Sequence, residues 1–289
     1  MKSLKKSRVL IIGLGQVGGS LGMELVKKKM AAEIIGFDSD KTLALKAKKL
    51  RVIDLWADSL GQGVEMSDLI ILATPIREIL RLLPFVSKSA RKDAVILDVG
   101  STKAGILRKA SQLGPGLDFI GGHPLTGTEK SGLESAETGR FVDTVFVLIP
   151  SKRTKQQSLE LIIRLVRSLG AKPLTMTAEE HDRLIALTSH LPYLFALALM
   201  NRSLKYGKRN KKLWHLVAGS FRSATRVALS SPELTLDMFL TNRRNLAKLI
   251  DEMRSELSFW KRLVGSGNES KLRKLILRAK KRREQIKNA

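Results

Sequence analysis

No cysteine occurs in the 289 residues, which excludes disulfides and thiolate metal sites and is compatible with a reducing compartment. Aromatic residues make up only 5% of the chain and do not interleave with its basic runs, so the stacking platforms that hold single-stranded nucleic acid are missing. Acids are scarce too: 27 Asp and Glu stand against 52 Lys and Arg, a formal net charge of +25. Much of the excess lies in residues 202–212, with six basic side chains and no acid, and in residues 271–289, with nine against Glu284. No helix-turn-helix, zinc-finger or RNA-recognition signature accompanies that charge, so nucleic acid is expected only as a nonspecific polyanion. An anionic small substrate would be drawn to the same surface. The longest apolar run of the second half, residues 191–200, falls short of the roughly 20 needed to span a bilayer. The basic amino terminus leads into an apolar run too short and too broken by glycine for a signal peptide. A cytoplasmic protein with no membrane partner is therefore expected.

What remains is 43% hydrophobic, enough to bury a large core and long enough for two domains. The apolar run Val9-Leu10-Ile11-Ile12 leads into Gly13-Leu14-Gly15-Gln16-Val17-Gly18 and then into a helical pattern through Leu21, Leu25 and Val26. In that order Gly13 permits the tight turn, Gly15 lets the backbone approach a pyrophosphate, and Gly18 lets the helix pack closely on the strand. A second strand, Glu33-Ile34-Ile35-Gly36-Phe37, ends at Asp38, where ribose recognition needs an acid. Its charge repels a 2′-phosphate and favours NAD over NADP, with Lys41 close enough to soften the preference. Leu69-Ile70-Ile71-Leu72-Ala73 reads as a buried strand stopped by Thr74-Pro75, and these two join Gly13, Gly15, Gly18 and Asp38 as cofactor-binding candidates. Residues 94–99 form another strand, running through Gly100-Ser101-Thr102-Lys103 into a helix with Ile106 and Leu107. Asp118-Phe119-Ile120 leads into a loop holding His123, and residues 144–149 precede a helix over about 154–169 that Gly170 closes.

Near Thr175 the pattern changes. Thr177-Ala178-Glu179-Glu180 has capping-box form, and residues 177–260 show almost only helical periodicity. Leu184, Leu187, Leu191, Leu194 and Leu197 make one helix more apolar than a surface stripe requires, which predicts burial between helices or at a subunit interface. The expected fold is α/β, a Rossmann-type doubly wound sheet over residues 1–174, followed by an all-α substrate and dimerisation domain over 175–265 and a basic tail over 266–289.

Four residues stand out as chemistry. Ser101 and His123 follow strand ends, where open α/β sheets bind ligands; Ser101 can equally be the N-cap of its helix. His190 can satisfy a core hydrogen bond, and Arg226 a surface or interdomain salt bridge.

Together the segments resemble the prephenate and arogenate dehydrogenase family of tyrosine biosynthesis. The resemblance rests on Gly13 to Ser20, on Asp98-Val99-Gly100-Ser101-Thr102-Lys103, on Gly122-His123-Pro124-Leu125-Thr126-Gly127-Thr128-Glu129-Lys130-Ser131-Gly132, on Ser189-His190-Leu191-Pro192, and on Gly219-Ser220-Phe221-Arg222-Ser223-Ala224-Thr225-Arg226-Val227-Ala228. It implies an NAD-dependent oxidative decarboxylation of a cyclohexadienol by a homodimer. In that reading His123 accepts the ring hydroxyl's proton, Ser101 orients it, and Arg226 holds the ring carboxylate. His190 supports the nicotinamide and substrate pocket, Glu129 belongs to a polar gate, and Gly219 and Tyr193 complete the substrate site. Two positions depart from the family: Tyr193 stands where many prephenate-preferring members carry a second histidine, and Ser223 where some carry an acid. Prephenate is the expected substrate and arogenate the alternative; a basic NAD-binding scaffold for polyanions is the non-enzymatic one. A β-hydroxyacid dehydrogenase would need a lysine where this chain offers His190. The stretch after Leu257 is too short and basic for a regulatory domain.

Overall fold

Successive residues of a strand point to opposite faces, and here each face of the sheet meets its own layer of helices. The computed structural model describes residues 3–126 and 129–287; Gly127 and Thr128 of the His123 motif lie outside them. Val9 and Ile11 join a buried cluster with Leu21, Leu25, Leu161 and Leu165, whereas Leu10 and Ile12 join another with Ile79, Leu83 and Ile106. The strands are β1 (Arg8–Ile12), β2 (Glu33–Phe37), β3 (Leu55–Trp56), β4 (Leu69–Leu72), β5 (Val95–Asp98), β6 (Asp118–Pro124), β7 (Val145–Pro150) and β8 (Lys172–Thr175). Their order is β3-β2-β1-β4-β5-β6-β7-β8, so the sheet reverses direction of growth between β1 and β4, the crevice where such folds take dinucleotides. All pairs are parallel except β6 with β7.

Helices α1 (Gln16–Lys27), α2 (Lys41–Lys49), α3 (Leu60–Met66), α4 (Ile76–Ser89), α5 (Ala104–Ala110) and α6 (Gln156–Ser168) connect the strands. Gly170 closes α6 at φ +85°, as its position after the last apolar residue suggested. The expected capping box forms in part: the Thr177 side chain accepts from the Glu180 amide and starts α7 (Ala178–Ile185). A π turn, Ala186–His190, carries α7 into α8 (Leu191–Arg209), followed by α9 (Gly219–Thr225) and α10 (Pro232–Thr241).

Three expectations need correction, and two short strands were not foreseen. His123 lies within β6, opposite Val147 of β7, and not on a loop. The short strands β3 and β8 were not legible, one too brief and the other exposed along most of its length. Lys103, not Ser101, occupies the N-cap position of α5. The run Ala178–Arg209 is, by length and composition alone, long and apolar enough to cross a membrane, where an apolar run too short for that was expected. On that run Leu184 and Leu187 are 44% and 52% exposed in the single chain, so of the two expected burials the one between helices does not account for them.

By packing the chain divides into Met1–Arg243 and Arg244–Ala289, a division inside the helical region. The second unit is two helices, α11 (Arg243–Gly265) and α12 (Glu269–Lys287). The basic end is thus helical, starting with an Arg273–Glu269 ion pair one turn apart at 2.8 Å.

Candidate active site

The glycine turn is forced by what crowds it. Gly13 takes φ +93°, and a Cβ there would meet the Ala73 carbonyl oxygen at 2.7 Å. A side chain at Gly18 would overlap the Gly13 carbonyl oxygen, because α1 crosses its own turn at that point. Gly15 is different: nothing lies within 4 Å of a Cβ built on it, so it keeps space open instead of relieving a clash. The buried Nε2 of Gln16, in that turn, and Oγ1 of Thr74, which packs against Gly13 from the turn after β4, have no hydrogen-bond partner among the described residues, and such groups are expected to be satisfied when the site is filled. Pro75 follows as the N-cap of α4. Asp38 accepts from the Leu14 amide at 2.8 Å and the Asp40 amide at 3.1 Å, which orients its carboxylate and leaves lone pairs for ribose hydroxyls. An open cradle, orphaned polar atoms and a helix N-terminus together fit a dinucleotide.

Further along the same carboxyl edge of the sheet stands a chain of hydrogen bonds. His123 Nδ1 lies 2.9 Å from His181 Nε2, with the rings edge to face, and His181 Nδ1 lies 2.8 Å from Asp182 Oδ1. The Asp182 carboxylate also accepts the backbone amides of Lys103 at 2.7 Å and Ala104 at 2.9 Å, and so caps α5 from 78 residues away. Its carbonyl accepts from Asn242 Nδ2 at 2.7 Å, and that same nitrogen lies 3.2 Å from His190 Nδ1. With an amide donor at Nδ1, His190 carries its proton on Nε2, which is buried and unpartnered among the described residues. Burial pushes His190 down to about 4, so it is neutral at physiological pH. Burial likewise holds His123 well below the usual histidine range, helped by the nearby His181, Lys103 and His190. Behind it Lys103 pairs with Asp98, both fully buried, and Lys103 Nζ donates to the Gly122 carbonyl at 2.7 Å. Burial pushes Asp98 up and Lys103 down.

Ser101 is half-buried in the turn between β5 and α5. A second group forms around Arg226, which is 53% exposed at its side chain and pairs with Glu129. The Glu129 carboxyl is held low by its own backbone amide and by Arg226. Tyr193, on the first turn of α8, meets the Ser230 hydroxyl at 3.2 Å, just beyond the 3-10 turn Arg226–Leu229. Gly219 opens α9 with nothing within 4 Å of a Cβ built there. The sequence reading missed His181, Asp182 and Asn242. The available signal was a His-Asp pair just inside the α7 cap in a chain with only four histidines.

Two family models match the chain: the nucleotide-binding domain of prephenate dehydrogenase over residues 21–175 and its dimerization domain over 177–278. A prephenate dehydrogenase of Bacillus subtilis is 34% identical over 258 residues, covering 87% of this chain and 68% of the relative. Among solved structures, prephenate dehydrogenase from Aquifex aeolicus, in complex with hydroxyphenyl propionate and NAD+, superposes with a TM-score of 0.93 at 31% identity, covering 99% of this chain and 100% of that one. Arogenate dehydrogenase of Synechocystis superposes with a TM-score of 0.82 at 30% identity, over 96% of this chain and 99% of the other.

Proposed function

Because the chain belongs to the prephenate dehydrogenase family, we propose that it oxidises prephenate with NAD to 4-hydroxyphenylpyruvate and carbon dioxide, with His123 as the base. The observation that carries the role of His123 is its state: a neutral imidazole, one ring nitrogen engaged by His181 and the other engaged by no described group, on the sheet edge that holds the dinucleotide cradle. Bound NAD supplies the acceptor for the hydride that leaves the hydroxyl-bearing ring carbon. His123 Nε2 takes the hydroxyl proton as that carbon becomes a carbonyl, and aromatisation expels the ring carboxylate as carbon dioxide. Ser101 donates to or accepts from the same hydroxyl. Arg226 holds the ring carboxylate through its planar fork, which requires Glu129 to yield the guanidinium it pairs with. The buried Nε2–H of His190 offers a donor that a bound ligand satisfies. Arogenate is the second reading, favoured by Tyr193, whose hydroxyl meets Ser230 where many prephenate-preferring members carry a histidine. The match to a dimerization domain supports a homodimer, and the uncovered leucines of the run 178–209 are the surface a second copy would cover.

The test measures NADH formation with prephenate and with arogenate, and repeats it with NADP. Wild-type turnover is expected with NAD, and His123→Asn should lose about 10²–10⁴-fold in kcat, the usual worth of a general base, with NAD affinity near normal. A His123→Asn enzyme with wild-type kcat removes the residue from the mechanism.

A further inference from the structure

His123 has two ring nitrogens, and only the deprotonated one can act as a base. Which one that is follows from the chain of bonds behind it. The Asp182 carboxylate accepts two amides at the start of α5, Lys103 at 2.7 Å and Ala104 at 2.9 Å, a position that favours its ionised, acceptor-only form. His181 Nδ1, 2.8 Å from Asp182 Oδ1, must then be the donor. Neutral His181 therefore has a lone pair on Nε2, and this pair lies 2.9 Å from His123 Nδ1, which must in turn carry hydrogen. With Asp182 as the acceptor, one hydrogen in each of the two bonds satisfies the whole chain, and no second proton on His181 is needed.

Resting on the proposed role of His123 as the base, we infer that His181 and Asp182 are positioning residues that hold His123 as its Nδ1–H tautomer and so present Nε2 as the lone pair. When Nε2 takes the substrate proton, the resulting imidazolium keeps its Nδ1–H on His181 Nε2, and His181 keeps its own Nδ1–H on the Asp182 carboxylate. No proton need move along the chain. The arrangement follows the logic by which a buried acid orients a catalytic imidazole, with a second imidazole interposed. His181 and Asp182 are both almost fully buried, so water does not compete for these bonds.

The experiment uses the full chain labelled with ¹⁵N-histidine. Four histidines give a sparse spectrum, and His123→Asn identifies the signals of His123 by their loss. At neutral pH the expected pattern is protonated Nδ1 and unprotonated Nε2 for His123, with His181 protonated on Nδ1. His181→Phe should mix the two tautomers of His123 and lower kcat by about ten- to a hundredfold, the range for losing an orienting partner, with KM for NAD unchanged. His181→Gln, whose amide offers an acceptor towards His123 and a donor towards Asp182, should restore the single tautomer and most of kcat. A wild-type His123 protonated on Nε2 overturns the inference, as does a folded His181→Phe enzyme with wild-type kcat, or a Gln variant no better than Phe. Should His181→Phe not fold, the wild-type spectrum and the Gln variant still decide. A wild-type protein inactive on both prephenate and arogenate would instead sink the proposed reaction, while the tautomer is still read from the spectrum.

Discussion

Glycine 15 and glycine 18 look alike in the sequence and do opposite jobs in the structure. A methyl group on Gly18 has nowhere to go, because the Gly13 carbonyl is backbone and cannot move aside. Gly18→Ala should therefore destabilise the whole nucleotide-binding half, seen as a clear fall in Tm. Gly15→Ala meets empty space, so its Tm should stay within about a degree or two while NAD affinity, read by fluorescence titration, drops at least about tenfold. Equal loss of stability in both variants would contradict this division. Both glycines were legible because their meaning depends on spacing along a single turn. His181 was not, since its partner His123 is 58 residues away and only the tertiary packing of α7 brings the two rings together. Arg226 was legible only through the family motif; its pairing with Glu129 is compatible with both the gate and the plain salt bridge that its residue type suggests.

At the level of elements, the loop expected around His123 became a strand for reasons visible only in three dimensions. Gly121, Gly122 and Pro124 are turn-forming residues by composition, yet Gly122 is bare because the Asp98 carbonyl and the Phe146 ring press on it, at 2.6 Å and 2.9 Å from a built Cβ. The helix after Thr177 was foreseen from its cap and periodicity, but not the π turn at Ala186–His190. Pro192 was its trace in the sequence: a proline cannot donate to the carbonyl four residues back, and a helix that continues through it must adjust its bonding. That adjustment ends on His190, whose depressed value of about 4 against an ordinary 6.5 ties stability to pH. The unfolded chain binds a proton at His190 below about 6.5 while the folded chain does not until about 4, so the folded state is favoured above 6.5 and loses ground steadily as pH falls between those values. The loss amounts to about 3 kcal/mol at most. Urea titrations of wild type and His190→Leu between pH 4 and 7 should show a gentler slope in the variant, by about one proton near pH 5. Parallel slopes would mean that folding leaves the proton affinity of His190 unshifted.

For the whole molecule, composition was a poor guide to surface. The leucines of the apolar helix suggested burial between helices or at a subunit interface, and within the single chain Leu187 and Leu199 are 52% and 39% exposed, which leaves the second alternative. If a second copy covers them, Leu187→Glu with Leu199→Glu should shift sedimentation from dimer to monomer at micromolar concentration, since each buries a charge in an apolar contact. A double variant that stays dimeric places the interface elsewhere. The excess of 52 basic residues over 27 acidic ones offered no hint that one lysine is hidden. Lys103 is 1% exposed, clasped by Asp98 and the Gly122 carbonyl, and is the one buried lysine among the described residues. Amine acylation would therefore divide the lysines into two kinetic classes: surface amines modified at the pace of the reagent, and Lys103 modified only as often as β5 and β6 part. Its modification rate is a clock for the breathing of the nucleotide-binding half, built in at the residue directly behind the base and readable without substrate or cofactor.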